Sequence, residues 1–313
     1  MLLWTIIKVA LKSLFANKLR SALAMLGIII GVAAVIAMLG IGAGARKQVI
    51  DRIYSMGTDL LVVRPSSYHS RGVATGSQEN LTLDDCKALL ERVSRINQIA
   101  PVVTNRAQAK YLNRNDRTTV IGTTSTYFPI RNFEIERGRS FTEGEVEARA
   151  RVCVIGPTLI ENLFEQDEPL EAVIRINNIN FHVIGVTKGK GDQGFYNPDD
   201  QIFMPYTTAM KLMFGVDYLS EIDIQCVRGS NLHEVELETS QVLRLCHRLQ
   251  SDQPDDFYIR NQAEMVEMVQ TVTRTFTILL GSIASISLLV GGIGIMNIML
   301  VTVTERTREI GVR

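Results

Sequence analysis

The chain has 313 residues, with 33 Lys and Arg balanced by 33 Asp and Glu, and with 46% hydrophobic and 21% charged residues. That composition excludes a disordered tail, a collagen-like repeat and a strongly basic nucleic-acid binder. It does not exclude a membrane protein, because the averages conceal two long uncharged segments near the ends.

Residues 1–20 carry Lys8, Lys12, Lys18 and Arg20 and no acid, and read as a basic amphipathic segment. From Ser21 to Ala45 no charged residue occurs. At about 1.5 Å per residue, a helix of that length crosses the roughly 30 Å of bilayer hydrocarbon. Ala43-Gly44-Ala45 resembles a cleavage site, but a secretory apolar region runs only about 7–15 residues, so a spanning helix over 21–45 is expected instead.

The next elements belong to a separate domain. Asp59–Arg64 (DLLVVR) reads as a short buried strand. A helix follows, with Thr82 as N-cap, Asp85 three residues on and Leu83, Cys86, Leu90 and Val93 as its apolar stripe. Ile99–Thr104 reads as a second strand. The same order recurs near the end. Glu221–Val227 alternates strictly, with Ile222, Ile224 and Cys226 on one face. Asn231 then caps a helix with Glu234 in the capping-box position and Leu232, Val235, Val242, Cys246 and Leu249 along one side. Asp256–Arg260 closes the unit. The two strand–helix–strand units predict one α+β subdomain over 46–126 and 216–261.

Between them, 127–215 is expected to be an inserted all-β subdomain. RVCVIG, AVIRINN, NFHVIGVT and QIFMP are short apolar stretches set apart by turn residues, with one short helix over Pro157–Phe164. After the outer domain, Met265, Met268, Val272 and Phe276 recur at helical spacing, which predicts a stalk helix over 262–274. Residues 275–304 are again uncharged and form the second expected span.

The fold class expected is therefore membrane-anchored α+β, with two transmembrane helices flanking an extracytoplasmic domain. Charge fixes the orientation. The first twenty residues carry +4 and the last nine +1, while the 26 basic and 31 acidic residues between the spans leave −5. The positive-inside rule places both ends in the cytoplasm and 46–274 outside it.

Several chemistries are missing from the sequence. No G-x-x-x-x-G-K-[ST] occurs, so the chain carries no P-loop ATPase, and no G-x-S-x-G occurs either. His69, His182, His233 and His247 show no ligand spacing, so no metal site is expected. Asn197-Pro-Asp-Asp200 lacks the alternating ligands of a calcium loop, and Lys188–Gly194 reads as a hairpin turn. No catalytic residue and no cofactor are expected. Cys86, Cys153, Cys226 and Cys246 fall on apolar faces, which favours buried thiols over disulfides. Within the spans, Gly27 and Gly31 form G-x-x-x-G, and Gly291, Gly292 and Gly294 lie mid-membrane with Asn297, the one amide of either span. Small residues permit close helix packing, and an amide is costly against lipid, so these six are the expected helix contacts.

The terminal run from Gly291 to Arg313, GGIGIMNIMLVTVTERTREIGVR, resembles the MacB-type (FtsX-like) permeases of ABC transporters. Asn17-Lys-Leu-Arg-Ser21 leading into Met25–Gly31 agrees, and so does the domain plan between the two ends. The resemblance implies a permease that dimerises or pairs with a second permease. A separate or fused cytoplasmic ABC ATPase would drive it, with energy passing through spans and stalk to the outer domain. It further implies a periplasmic adaptor and an outer-membrane channel as possible partners, and an inner-membrane location. On the same analogy Glu305, Arg306, Arg308, Glu309 and Arg313 make the ATPase-coupling surface at the start of a region over 305–313. The resemblance implies two further spans beyond Arg313, so the sequence is expected to be a fragment, a divided subunit or a degenerate one that has lost transport. The competing readings are a two-span receptor with a ligand-sensing outer domain, and a family member that regulates a cell-wall enzyme or extracts lipoproteins.

Overall fold

The computed structural model describes residues 59–311 other than 67–68, 71–72, 75–79, 166 and 192–196, together with Trp4 and scattered positions between 26 and 47. It divides into two compact units, 51–266 on the one hand and 1–50 with 267–313 on the other.

The larger unit begins with β1 (Leu60–Pro65), the short paired strands β2 (His69–Ser70) and β3 (Val73–Ala74), and α1 (Leu83–Arg92), followed by the long strand β4 (Ile96–Tyr111). The second strand–helix–strand unit is β11 (Glu221–Cys226), α6 (Leu232–Cys246) and β12 (Phe257–Asn261). Their strands interleave in the order β12-β1-β11-β4, with each neighbour antiparallel. This is the split β-α-β arrangement of ferredoxin-like folds, in which both helices cover the same face. Local chemistry starts each helix. The Thr82 N–H and hydroxyl donate to Asp85 Oδ2 at 2.8 and 2.9 Å, and Asn231 Oδ1 accepts from the His233 N–H at 3.2 Å. Glu234 does not complete a capping box; it takes the Asn231 side-chain amide at 3.1 Å and Arg95 instead.

Against α1 and α6 the sheet packs Leu61, Val63, Ile99, Ile222, Ile224 and Cys226, which meet Leu89, Val235 and Leu243 of the helices. All are buried, and each large aliphatic side chain removed from water contributes about 1.5–3 kcal/mol.

The rest of the unit is built around a closed ring of strands. β4 pairs with β5 (Arg114–Thr123), β5 with β10 (Gln201–Pro205), β10 with β7 (Val152–Ile155), β7 with β9 (Ile179–Thr187), β9 with β8 (Val173–Ile176), and β8 returns to β4. Inside this small barrel lie Ala109, Val120, Ile155, Ile174, Phe181 and Ile202. Asn177 and Asn178 turn the β8–β9 hairpin with positive φ at both positions, where asparagine is the best tolerated residue after glycine. β6 (Ile135–Gly138) adds to the outer edge of β9. A third core fills the space between the back of the sheet and the outside of the barrel. It joins Leu60, Val62 and Val102 to Tyr127, Phe128, Phe133, Phe141 and Phe203, whose rings meet at centroid distances of 5.0 to 6.4 Å.

Two expectations need correction. The inserted part has the expected helix over Pro157–Phe164, which begins as α4 (Pro157–Leu159) and continues as π-helix, but it is not otherwise all-β: it also carries α2 (Tyr127–Ile130), α3 (Glu143–Glu147) and a segment that begins as α5 (Tyr206–Thr208) and continues as π-helix to Phe214. These segments plug the barrel end and supply the aromatic core, which strands alone would leave open to water. Nor does the barrel begin at 127, because β4 and β5 already form two of its staves.

In the other unit, the 50-residue helix α7 (Gln262–Gly311) dominates, with its first turn in the larger unit. Phe276, Ile283, Ile286, Val290, Ile293, Met299 and Val303 are all more than half exposed along it. Thr277, Ser282, Ser285 and Thr307 donate their hydroxyls to carbonyls four residues back, at 2.8 to 2.9 Å. Among the described residues no helix is long and apolar enough to cross a membrane. The two flanking spans therefore remain a reading of the sequence.

Candidate functional site: a charged clasp in the outer domain

The residues singled out from the sequence lie mostly beyond what the structure details. Gly27 and Arg313 fall outside the described residues, and the side chains of Asn297, Glu305, Arg306, Arg308 and Glu309 are likewise undescribed, although their backbones continue α7. Gly31, Gly291, Gly292 and Gly294 are described. Among the described residues, a Cβ placed on any of them meets nothing within 4 Å.

A different constellation stands out in the larger unit. Strict alternation along β11 sends Ile222, Ile224 and Cys226 toward the helices, which leaves Glu221 and Asp223 on the opposite face. That face is covered by the aromatic core, so Asp223 is fully buried and Glu221 nearly so. Arg131, at the end of α2, answers them. Its Nε donates to Asp223 Oδ2 at 2.5 Å and its Nη2 to Asp223 Oδ1 at 2.7 Å, a two-pronged contact, while Nη2 also reaches Glu221 Oε1 at 3.1 Å. Arg64 on β1 closes the group from the far side, its Nε donating to Glu221 Oε2 at 2.6 Å. Two guanidinium groups therefore neutralise two carboxylates. A buried ion pair is tolerable only when its hydrogen bonds are this complete.

The electrostatics follow from burial. Desolvation pushes the Asp223 carboxyl up to about 6 against the pull of Arg131, so it is ionised at neutral pH. Burial also works against the Arg131 charge, but Asp223, Tyr127 and Glu221 outweigh it and hold the guanidinium well above its ordinary value. The clasp joins sheet to barrel side, because β11 belongs to the ferredoxin-like sheet and Arg131 to the inserted segment.

A second basic group extends it. Lys190 Nζ donates to the Arg131 carbonyl at 2.6 Å and lies 4.0 Å from the centre of the Phe133 ring. Burial, reinforced by the nearby Arg131 charge, lowers Lys190 to about 8. The N–H groups of Lys190 and Gly191 both donate to the Asp199 carboxylate at 2.8 Å. Asp199 of the Asn197–Asp200 loop is thus committed to the backbone of Lys190 and Gly191, while the rest of the turn expected over Lys188–Gly194 lies, from residue 192 on, outside the described residues.

On the helical side, His247 follows α6 and sits between two carboxylates. Its Nδ1 donates to Asp256 at 2.8 Å, and its Nε2 is 3.4 Å from Asp85 Oδ2, an ion-pair separation longer than a good hydrogen bond. Asp85 and, against the opposing effect of burial, Asp256 raise His247 to about 9, so the imidazolium is the resident form at neutral pH. The triad joins α1, the end of α6 and the start of β12. The four cysteines are free thiols. Desolvation pushes Cys86 and Cys226 up to about 12 and Cys153 higher still, so all three are inert small hydrophobes.

The pattern of the MacB-like periplasmic core domain matches residues 21–242. Among curated proteins, the chain is 42% identical over 96% of its length to the macrolide export ATP-binding/permease protein MacB of Bdellovibrio bacteriovorus, of which it covers 47%. It is 43% identical over 98% of its length to the protein of the same name from Marinobacter nauticus, again covering 47%. The chain thus spans about half the length of the curated relatives it matches. Among solved structures, the periplasmic region of MacB from Actinobacillus actinomycetemcomitans superposes with a TM-score of 0.59 at 20% identity, covering 71% of this chain and 98% of that one. The extracellular domain of the noncanonic ABC-type transporter YknZ from Gram-positive bacteria gives 0.53 at 19% identity, covering 64% and 100%. At those identities the two structures bear on the fold alone.

Proposed function

The chain belongs to the MacB-like periplasmic core domain family, and on that premise we propose that it works as the permease part of a MacB-like ABC transporter. In this reading a cytoplasmic ABC ATPase hydrolyses ATP, and the resulting movement passes through the spans and stalk to the outer domain, driving export or efflux. The observation that carries it is identity above 40%, across nearly the whole chain, with proteins named as macrolide export ATP-binding/permease proteins. That kinship favours a transporter over a two-span receptor.

The membrane topology rests on several features. A helix that is apolar over most of its circumference is at home in lipid, and α7 exposes Phe276, Ile278, Ile286 and Met299, which are spread over more than half of the way around it. Hydroxyls that return to their own helix carbonyls leave no polar group needing water, which suits hydrocarbon. The charge split of the sequence supports cytoplasmic ends and an outer domain over 46–274 in the inner membrane. The domain plan is proposed with α+β parts over 46–126 and 216–261 and the stalk over 262–274, the inserted segment 127–215 completing a barrel to which β4 and β5 already belong. Gly31, Gly291, Gly292 and Gly294, with Gly27 and Asn297, are assigned to packing against a second permease. Glu305, Arg306, Arg308, Glu309 and Arg313 are assigned to docking on the ATPase. A periplasmic adaptor and an outer-membrane channel are proposed as further partners. The outer domain's clasp suits a transmitting body, since it keeps sheet and barrel side moving as one.

The test is co-purification of the chain with an ABC ATPase, followed by the same experiment on Glu305→Ala combined with Arg306→Ala. Association and ATPase stimulation are expected to fall together in the double variant. Full retention of both would overturn the coupling assignment.

A further inference from the structure

We propose that His233, Glu236 and Glu264 bind a divalent transition-metal ion of the zinc type. His233 and Glu236 stand three residues apart on α6 and so share one face of that helix. Glu264 reaches them from the first turn of α7. His233 Nδ1 lies 3.9 Å from Glu236 Oε2, and one ligand atom from each of the three residues falls within 4.8 Å of the others. Zinc bonds of about 2.0–2.2 Å place tetrahedral ligand atoms about 3.3–3.6 Å apart. The three groups need to draw in by about 1 Å, which the exposed His233 and Glu264 side chains do by changing rotamer.

Charge and support agree with the geometry. Burial raises the Glu236 carboxyl above its ordinary value, and the facing Glu264 carboxylate raises it further. A divalent cation between them relieves that repulsion. The Asn261 amide, at the buried end of β12, makes a long 3.5 Å contact to the same Glu236 Oε2, the kind of outer partner that metal ligands have. One imidazole and two carboxylates favour zinc-class ions over calcium, which takes six to eight oxygens. Three protein ligands leave a fourth position for water. All three residues lie in the larger unit, so the proposal is independent of the transport reading. A bound ion ties the first turn of α7 to α6.

The experiment uses the full chain in detergent, stripped with chelator and titrated with zinc chloride by calorimetry, with cobalt(II) chloride added in parallel for its visible absorption. One equivalent is expected to bind. His233→Ala and Glu264→Gln, both at exposed side chains, are each expected to weaken zinc at least tenfold and to abolish the tetrahedral cobalt bands. The proposal is overturned if no saturable equivalent binds, or if affinity and spectrum are unchanged in either variant.

Discussion

Replacing Arg131 by Met is the most direct probe of the clasp. The substitution keeps most of the side-chain volume and removes the charge that faces Asp223 and Glu221. Asp223 is then buried without a cation, since Arg64 is bonded to Glu221. Breaking a buried pair from one side costs about 3–5 kcal/mol, because the remaining charge must be desolvated alone or take up a proton. Proton uptake gives the effect a pH signature. An acid whose folded pKa lies above its unfolded value binds more protons when folded, so stability falls as pH rises between the two values. Asp223 is already raised to about 6, and loss of Arg131 extends that window upward. The deficit of Arg131→Met is therefore expected to be larger at pH 8 than at pH 5. Urea unfolding of the larger unit 51–266, which contains all three cores, measures it. Adding Asp223→Leu removes the stranded carboxylate, and the double variant is expected to lose less than Arg131→Met alone. A deficit below about 1 kcal/mol at pH 8, or one independent of pH, refutes this account of the clasp.

Two further predictions concern the same unit. His247, raised to about 9 from an ordinary 6.5, contributes stability that is fully present below about pH 6.5 and is lost as pH rises through 9. The loss is about 3 kcal/mol at one pKa unit per 1.4 kcal/mol, and His247→Gln is expected to flatten the unfolding profile between pH 7 and 9.5. A flat profile in the parent protein contradicts it. At Gly156 a Cβ would run into the Asp199 carbonyl, which is backbone and cannot swing aside. Gly156→Ala is expected to cost about 1–3 kcal/mol, read by thermal or urea unfolding; an unchanged midpoint shows that the loop yields.

The parts of the fold that were legible are those governed by local chemistry. Thr82 with Asp85, and Asn231 at the head of α6, announced both long helices, and the apolar runs at Val152–Ile155, Val173–Ile176, Ile179–Thr187 and Gln201–Pro205 announced their strands. β5 was missed because RNDRTTVIGT looks like a polar loop for half its length; pairing with β4 across nine positions outweighs that propensity. The clasp was hidden for a related reason. Alternation in EIDIQC implies one wet face, and nothing local says that an aromatic core drawn mainly from Tyr127–Phe141, about eighty or more residues earlier, covers it. A partial signal existed, since two acids on one strand face beside a cluster of Phe and Tyr call for a cation. His233 and Glu264 are thirty-one residues apart in sequence, so their meeting depends on how β12 returns α7 to α6, which spacing rules cannot express.

β4 has a consequence for how such a domain can change over time. One strand of sixteen residues is ladder partner to β11 at its start and to β5 and β8 further on. Cutting out 127–215 as though it were a cassette would leave Thr119–Thr123 of β5 and Ala109–Lys110 of β4 without their partners on one side, bare edges of the kind that recruit other chains. A chain cut at those boundaries is therefore expected to self-associate, however tidy they look in the sequence. Sheet and barrel can be exchanged only together, whereas hairpin tips and connecting turns that no ladder crosses can change alone.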